Sequence, residues 1–479
     1  MSRTDRPVAA RAAANAALNS GAQVVGKLAT LTWTLVAARE LGTSAFGAFF
    51  YVLAVAQLAS AVVEWGFDPV LVRRGARQPE LLPSLLTQNL VWQTAVAVPV
   101  LGALGVVLVA LRPADERLLV VALLVAVALD GVSDTCRAVG EAAQRQAGVS
   151  AAVTLQRVLT AAVAVTVLLL GGGVGGLAAS VLAGSVVGTA VHLAAVRGLG
   201  VRLVGSAVRP SALRGYVRGT LFIGMSTLVL MALFRVDTVL LGVLRDEEEV
   251  AAYSAAYRFL ETALFVSFAI ASVVFPIMSA ASERGVVQRA LTAGLSAGTV
   301  VYVPLAVVLA LEPGPLLGLL FGDPFSTTSD DPLRLLALAP LCYLAAFLSQ
   351  SGLQAVDRAV GMLVAASTAL TVNVVLDVLL IPAYGASAAA AVTTLSYALH
   401  AAVMLVWLRR AGVRPQLLRP LREPAAASVP LAVVLLVLDR PVLLELVAGG
   451  ALYAAAWLLL VRRTAPEQLG VLRGLLRRR

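Results

Sequence analysis

The sequence predicts an all-α polytopic membrane protein of about fourteen transmembrane helices, built as two six-helix lobes in a parallel pseudo-repeat plus a C-terminal helix pair. Three observations carry that prediction. Of 479 residues, 59% are hydrophobic and only 13% charged, with a mean hydropathy of +0.90, whereas soluble domains carry about 25% charged residues. Apolar windows of about 20 residues, the length a helix needs to cross a bilayer, recur along the whole chain. The arginines fall in short loops between those windows, so the net charge of +10 does not form a nucleic-acid-binding surface.

The windows cover residues 18–38, 46–64, 89–111, 118–136, 149–170, 177–196, 221–244, 250–277, 290–311, 335–353, 360–381, 386–407, 425–438 and 442–461. The first follows Arg3, Arg6 and Arg11 and is longer than the apolar core of a secretory signal, so it reads as a retained span. The thirteenth is short, and the thirteenth and fourteenth form the weakest pair in the pattern. With the N-terminus placed in the cytoplasm and the spans alternating, inner segments hold 27 Lys and Arg and outer loops 5, the other 5 lying within or at the edge of spans. That asymmetry follows the positive-inside rule and places both termini in the cytoplasm, in a multi-pass protein of the cytoplasmic membrane. One span missed or invented would invert every later loop and erase it. Two inner loops, from Arg197 to Arg218 and from Arg409 to Glu423, are long and basic; they serve as linkers or lie as amphipathic segments on anionic inner-leaflet lipids. Cys136 and Cys342 sit in or beside apolar runs and imply no disulfide framework.

An internal repeat divides the first twelve spans. The sixth ends in Gly200-Val-Arg202 and the twelfth in Gly412-Val-Arg414, and His192 falls close to His400 after the same offset. Phe46-Gly-Ala-Phe49 resembles Val250-Ala-Ala-Tyr253, and that offset sets Lys27 within one helical turn of Arg235. Six spans per half is an even number, so the copies share one orientation, the plan of a transporter with two lobes about a membrane-normal axis. The expected organisation is a first lobe at 1–200, a basic linker at 201–218, a second lobe at 219–408, a basic loop at 409–424, and the last two helices with a basic tail at 425–479.

Charges inside apolar runs are the candidate site. Lys27, the chain's one lysine, and Arg157, Arg235 and Arg258 all lie within spans. A cation at a helix centre costs about 2.5–3.5 kcal/mol on insertion scales. Repeated tolerance of that cost implies a polar cavity, and guanidinium groups suit an anionic, phosphate-bearing passenger. The carboxylates are candidates for ion coupling. Asp130 and Asp134 are four residues apart on the fourth span, where like charges raise one pKa, while Arg137 stands ready to neutralise Asp134. Glu261 follows Arg258 at a spacing that also allows the two to pair. Asn373 and Asp377 share a face of the eleventh span, where they bind a cation or tie helices together. Glu64 and Asp68 read as capping groups or partners of Arg73, and His192 and His400 as structural histidines near inner helix ends.

The chemistry the sequence lacks narrows the reading. No catalytic constellation or metal-ligand spacing is present, and no cofactor is implied. The run 171–176 is rich in glycine but is not followed by the Lys-Ser/Thr of a phosphate-binding loop, so it reads as an outer turn. Energy for transport then comes from an ion gradient, the membrane potential or the substrate gradient.

Three segments resemble a known family. Asn373-Val-Val-Leu-Asp377, followed by Pro382, Tyr384 and Gly385, is similar to the eleventh-to-twelfth-helix signature of polysaccharide-type flippases. Arg235-Val-Asp237, Gly242, Tyr253, Tyr257 and Arg258 resemble their seventh-to-eighth-helix signature. The run from Ala38 through Arg39, Glu40, Leu41 and Gly42 to Phe46-Gly47 resembles their first hairpin. Ser387 stands where that family commonly has glycine. Together the segments resemble the polysaccharide transporter branch, the O-antigen-type repeat-unit flippases, of the multidrug/oligosaccharidyl-lipid/polysaccharide exporter superfamily. The resemblance implies alternating access and a lipid-linked oligosaccharide, carried on undecaprenyl diphosphate, as cargo. It also implies work alongside glycosyltransferases and a polysaccharide polymerase. Rival readings are a multidrug or metabolite cation-coupled antiporter of the same superfamily and a lipid II flippase. A membrane-embedded glycosyltransferase would need a large outer catalytic loop, which this sequence lacks.

Overall fold

The computed structural model describes the backbone of residues 5–464, apart from 282 and 439, and side chains from residue 24 to 463, apart from those of 146, 147, 212, 222 and 359. The N-terminal arginines and most of the basic C-terminal tail lie outside the described side chains. The elements are α1 (Asp5–Glu64), α2 (Phe67–Arg77), α3 (Leu82–Leu111), α4 (Arg117–Ala142), α5 (Gln146–Leu169), α6 (Gly173–Gly198), α7 (Pro210–Leu244), α8 (Glu247–Ser279), α9 (Arg284–Leu311), α10 (Pro313–Phe321), α11 (Asp323–Thr328), α12 (Asp330–Leu335), α13 (Ala339–Ala355), α14 (Ala359–Arg410), α15 (Arg419–Val437) and α16 (Val442–Thr464). No strand is present among the described residues.

Twelve stretches are long and apolar enough to cross a membrane. Two of them are each a pair of spans. α1 is broken at Gly42 (φ 74°, ψ 174°), and α14 at Gly385 (φ 53°, ψ −134°). Backbone of that kind is open to glycine and strained for other residues. At both points the chain folds back on itself. Trp33 stacks on Phe50 at 6.4 Å across the first break, and the Trp407 ring packs against Gly361 across the second. Counting each break as a turn gives the fourteen spans that the hydropathy windows predict.

The chain forms two compact units, 1–254 and 255–479, so that α7 groups with the first. In the first, Phe67, Leu71, Leu82, Leu86, Val139 and Tyr216 form a buried cluster, with Phe67 stacked on Tyr216 at 4.7 Å and edge-on to Trp92 at 5.7 Å. In the second, Leu291, Leu295, Tyr302, Leu344, Leu348 and Leu408 join α9, α13 and α14. The weakest sequence pair, α15 and α16, belongs to this unit. Thr299 Oγ1 donates to the Pro420 carbonyl at 2.8 Å, Tyr453 Oη donates to the Val300 carbonyl at 2.6 Å, and Leu431, Leu435 and Tyr453 pack against Val307 and Leu311 of α9.

Three details depart from the hydropathy reading. One amphipathic helix, α2, lies between the second and third windows, and the long basic loops fit the linker alternative. Phe67, Val70, Leu71 and Gly75 are buried on one face of α2, while Arg73, Arg74 and Arg77 are exposed. In the first basic loop residues 201–204 run without helix into a single 3-10 turn before α7 begins, and in the second residues 411–418 are irregular up to α15. The segment 312–334, left between two windows, folds into α10, α11 and α12, because Phe321, Phe325 and Leu333 have apolar surface to bury.

Candidate functional site

α1, α4, α5, α6 and α7 enclose a polar cavity of about 540 Å³ within the first unit. Helical periodicity selects what faces it. On α4 these are Asp130, Ser133, Asp134, Arg137 and Glu141, and on α5 Ser150, Val153, Gln156, Arg157 and Thr160, each set one stripe of a 3.6-residue period. α1 adds Thr30, Trp33, Gln57, Ser60 and Glu64; α6 adds Val181, Ser185 and His192; α7 adds Met231 and Arg235.

Close packing of α5 on α6 fixes the position of Gln156. Gly184 and Gly188 have no side chain where Thr160 and Gln156 press in, and a Cβ at either would overlap them. Gln156 Nε2 then donates to Asp130 Oδ1 at 3.1 Å. Gly26 of α1 gives similar room to the Arg157 stem. The Arg157 guanidinium lies within electrostatic reach of Asp130. Further along α4, Arg137 Nε donates to Asp134 Oδ1 at 3.1 Å and its terminal nitrogen donates to Glu141 at 2.8 Å. Ser133 and Thr189 share a hydrogen bond at 2.9 Å, and His192 Nδ1 lies 2.8 Å from the Gly188 carbonyl. Gln57 Oε1, Ser150 Oγ and His192 Nε2 are buried without a hydrogen-bond partner among the described residues. These groups can bind a polar guest.

A second polar group supports the cavity wall. Asp68 Oδ1, in the first turn of α2, accepts hydrogen bonds from Asn89 Nδ2 at 3.0 Å and Thr135 Oγ1 at 3.1 Å. Thr135 Oγ1 also accepts from Asn89 at 3.0 Å and from Gln93 Nε2 at 2.9 Å. Burial pushes the Asp68 carboxyl up to about 6, with repulsion from Asp134 adding to the rise and attraction to Arg137, then the Thr135 and Asn89 donors, opposing it. This corrects the expected pairing with Arg73: Asp68 joins α2 to α3 and α4, and Glu64 faces the cavity.

The structure sorts the remaining candidates. Asp130, Asp134, Arg157 and Arg235 line one cavity. Lys27 is half-buried beside Gly26 and is not among the lining residues. Arg258 and Glu261 form an ion pair with each other in the second unit, which offsets both charges. Asn373 and Asp377 are fully buried in the second unit. The cavity is polar as expected but mixed in charge: four carboxylates face the same space as three arginines. Gln57 and Gln156 were not among the candidates; Glu64 and His192, which also line the cavity, read from the sequence as a capping or ion-pairing carboxylate and a structural histidine. The pair Gly184 and Gly188, at the spacing of close helix packing, is the sequence signal that pointed toward Gln156.

The family model described as polysaccharide biosynthesis protein matches residues 12–282. The chain belongs to that family. A second model, MatE, matches residues 223–379 of this polysaccharide biosynthesis protein. Among curated proteins it is 25% identical over 169 residues to the "Probable low-salt glycan biosynthesis flippase Agl15" of Haloferax volcanii; the match covers 34% of the chain and 35% of that relative. Among solved structures it resembles "Lipid II flippase MurJ, inward closed conformation", at TM-score 0.78 and 13% identity, covering 93% of this chain and 99% of that one. It also resembles an inward-facing MATE-family multidrug resistance transporter of the MOP superfamily, at TM-score 0.63 and 17% identity, covering 81% and 94%. At these identities the structural matches establish the fold of this family member as that of a multi-pass membrane protein.

Proposed function

We propose that this protein is an alternating-access flippase that carries undecaprenyl-diphosphate-linked oligosaccharide units across the cytoplasmic membrane for surface polysaccharide synthesis. The observation that carries the reading is the membrane-embedded polar cavity of a polysaccharide biosynthesis family member, with Arg157 and Arg235 facing it beside hydroxyl and carboxamide groups. A diphosphate is met best by guanidinium groups and sugar hydroxyls by carboxamides and hydroxyls. In this reading Arg157 and Arg235 contact the diphosphate, and Lys27 and Arg258 act on its route. Asp130, Asp134, Glu261, Asn373 and Asp377 serve ion coupling, and the two six-helix lobes at 1–200 and 219–408 alternate access with both termini in the cytoplasm. The protein carries its cargo without altering it chemically, between glycosyltransferases that build the unit and a polymerase that consumes it.

Deletion of the gene is expected to accumulate undecaprenyl-diphosphate sugar on the cytoplasmic face; polymer export at the normal level without accumulation refutes the proposal. Arg235→Ala and Arg157→Ala are each expected to lower export at unchanged membrane abundance. The loss should be about tenfold or more if a charge-assisted contact of about 1.5–3 kcal/mol is removed. Equal export at equal abundance dismisses the residue as a ligand.

One observation favours a second reading. Four carboxylates in the cavity suit a cationic solute, as in an antiporter of the same superfamily. Protection of cells against cationic dyes that is lost in Asp130→Asn, with polysaccharide export intact, selects that reading instead.

A further inference from the structure

Charge is unevenly spread along the polar cavity, and close contacts between helices fix the level of each group. A Cβ on Gly66 would meet Thr227, and one on Gly242 would meet Tyr51. The second half of α1 and α7 therefore run antiparallel, and Arg235 stands level with Gln57. Glu64 lies seven residues further along α1, about 10 Å at 1.5 Å per residue. There it faces Gly131 of α4, with its Cγ 3.8 Å from where a Cβ would stand. Asp130, beside Gly131, feels the charge of Arg157 and is hydrogen bonded to Ser185. Ser133, further along α4, meets Thr189, further along α6. These two helices run in parallel, so His192 stands level with Arg137. Gly140, next to Glu141, packs on Val149, next to Ser150.

One end of the cavity thus holds Arg235, and the middle holds Arg157 against Asp130. The other end holds Glu64, Asp134 and Glu141 against a single arginine, Arg137, whose donors are taken up by Asp134 and Glu141. A diphosphate fits between the first two arginines. The far end carries an excess of negative charge and repels an anion. Ser150 marks that end, seven residues and about 10 Å from Arg157 along α5, which leaves room for sugar beyond a diphosphate.

Two buried groups define what the far end accepts. His192 and Ser150 are only 3% and 6% exposed, and both line the cavity. His192 Nδ1 donates to the Gly188 carbonyl at 2.8 Å, so Nε2 of the neutral ring is an acceptor. Neither His192 Nε2 nor Ser150 Oγ has a hydrogen-bond partner among the described residues. Carboxylate oxygens are acceptors as well. A guest here must bring O–H or N–H donors, as sugar hydroxyls and ammonium groups do. A sugar carboxylate brings none and adds a like charge where water is scarce.

We propose that the end of the cavity formed by Asp134, Glu141, Ser150 and His192 is a saccharide subsite that takes sugars rich in hydroxyl or amino donors and rejects acidic sugars. The proposal rests on the flippase reading above and adds the class of glycan carried: neutral or amino sugars beyond the diphosphate, without uronic acid.

The full-length protein in proteoliposomes is given undecaprenyl-diphosphate disaccharides that differ only in the outer sugar, glucose or glucuronic acid. The wild type is expected to flip the glucosyl carrier about tenfold faster or more. Glu141→Gln removes one negative charge and keeps an acceptor oxygen. It should narrow the ratio to about threefold or less by speeding the glucuronyl carrier, and Glu141→Asp should restore it. Wild-type selectivity is read without any substitution, so the test survives a variant that fails to fold. Equal rates for the two carriers in the wild type, or a faster glucuronyl carrier, overturn the subsite and leave the flippase reading intact. A ratio unmoved by Glu141→Gln at wild-type abundance overturns it as well. Flipping of neither carrier removes the flippase reading, and the subsite with it.

Discussion

Asp68 illustrates how one side chain is set by what surrounds it. Its carboxylate is buried where α2 meets α3 and α4, holds two donors on one oxygen, and titrates near 6 in place of its ordinary value near 4. A carboxyl whose pKa is raised on folding stabilises the fold most below its unfolded pKa, and that contribution is lost as pH rises through the folded value. Wild type is therefore expected to lose stability between about pH 4 and pH 6 relative to Asp68→Asn, which keeps the acceptor oxygen without the charge. Thermal unfolding in detergent across that range checks it, and parallel curves for the two proteins refute it. Charged candidates such as Asp130, Asp134, Arg157 and Arg235 were legible because a charge in an apolar run is conspicuous. Glu64 and Asp68 were misplaced because each sits at a helix end, where capping explains a carboxylate equally well. Gln156 was missed because a carboxamide carries no charge, and its importance comes from Gly188 on a different helix.

At the scale of elements, two glycines decide how the chain turns. Gly42 and Gly385 fall in segments that carry the family resemblance, and each reverses a helical run without a separate loop. At Gly42 a Cβ meets nothing within 4 Å, so the constraint is backbone conformation alone. Gly42→Ala is expected to destabilise by about 1–3 kcal/mol, read as a lower unfolding temperature and lower membrane abundance. Gly102→Ala, at a helical position with open space, should stabilise slightly or have no effect, since alanine is the better helix former. Unchanged stability in Gly42→Ala would show that the break relaxes into a helix. The other surprises at this scale share a cause. Hydropathy detects spans, and α2, α10, α11 and α12 are each too short to be isolated by a twenty-residue average.

For the molecule as a whole, the arginine asymmetry and the fourteen spans yield one topology. It is tested with single cysteines in a background lacking Cys136 and Cys342. Ser206→Cys, in the turn before α7, is expected to react with a membrane-impermeant thiol reagent only from the cytoplasmic face, and Asp115→Cys, between α3 and α4, only from the outer face. Reaction of both from one side refutes the topology. The sequence by itself determined the class, the number of spans and the sites of buried charge. Each of these follows from the cost of placing polar groups in hydrocarbon, a cost paid residue by residue and visible in any window of the chain. Only the tertiary structure decided which charges share a cavity, that carboxylates outnumber arginines in it, and that Arg258 is offset by Glu261. Those are properties of which helix faces meet, and helix packing depends on small residues and shape that hydropathy does not record.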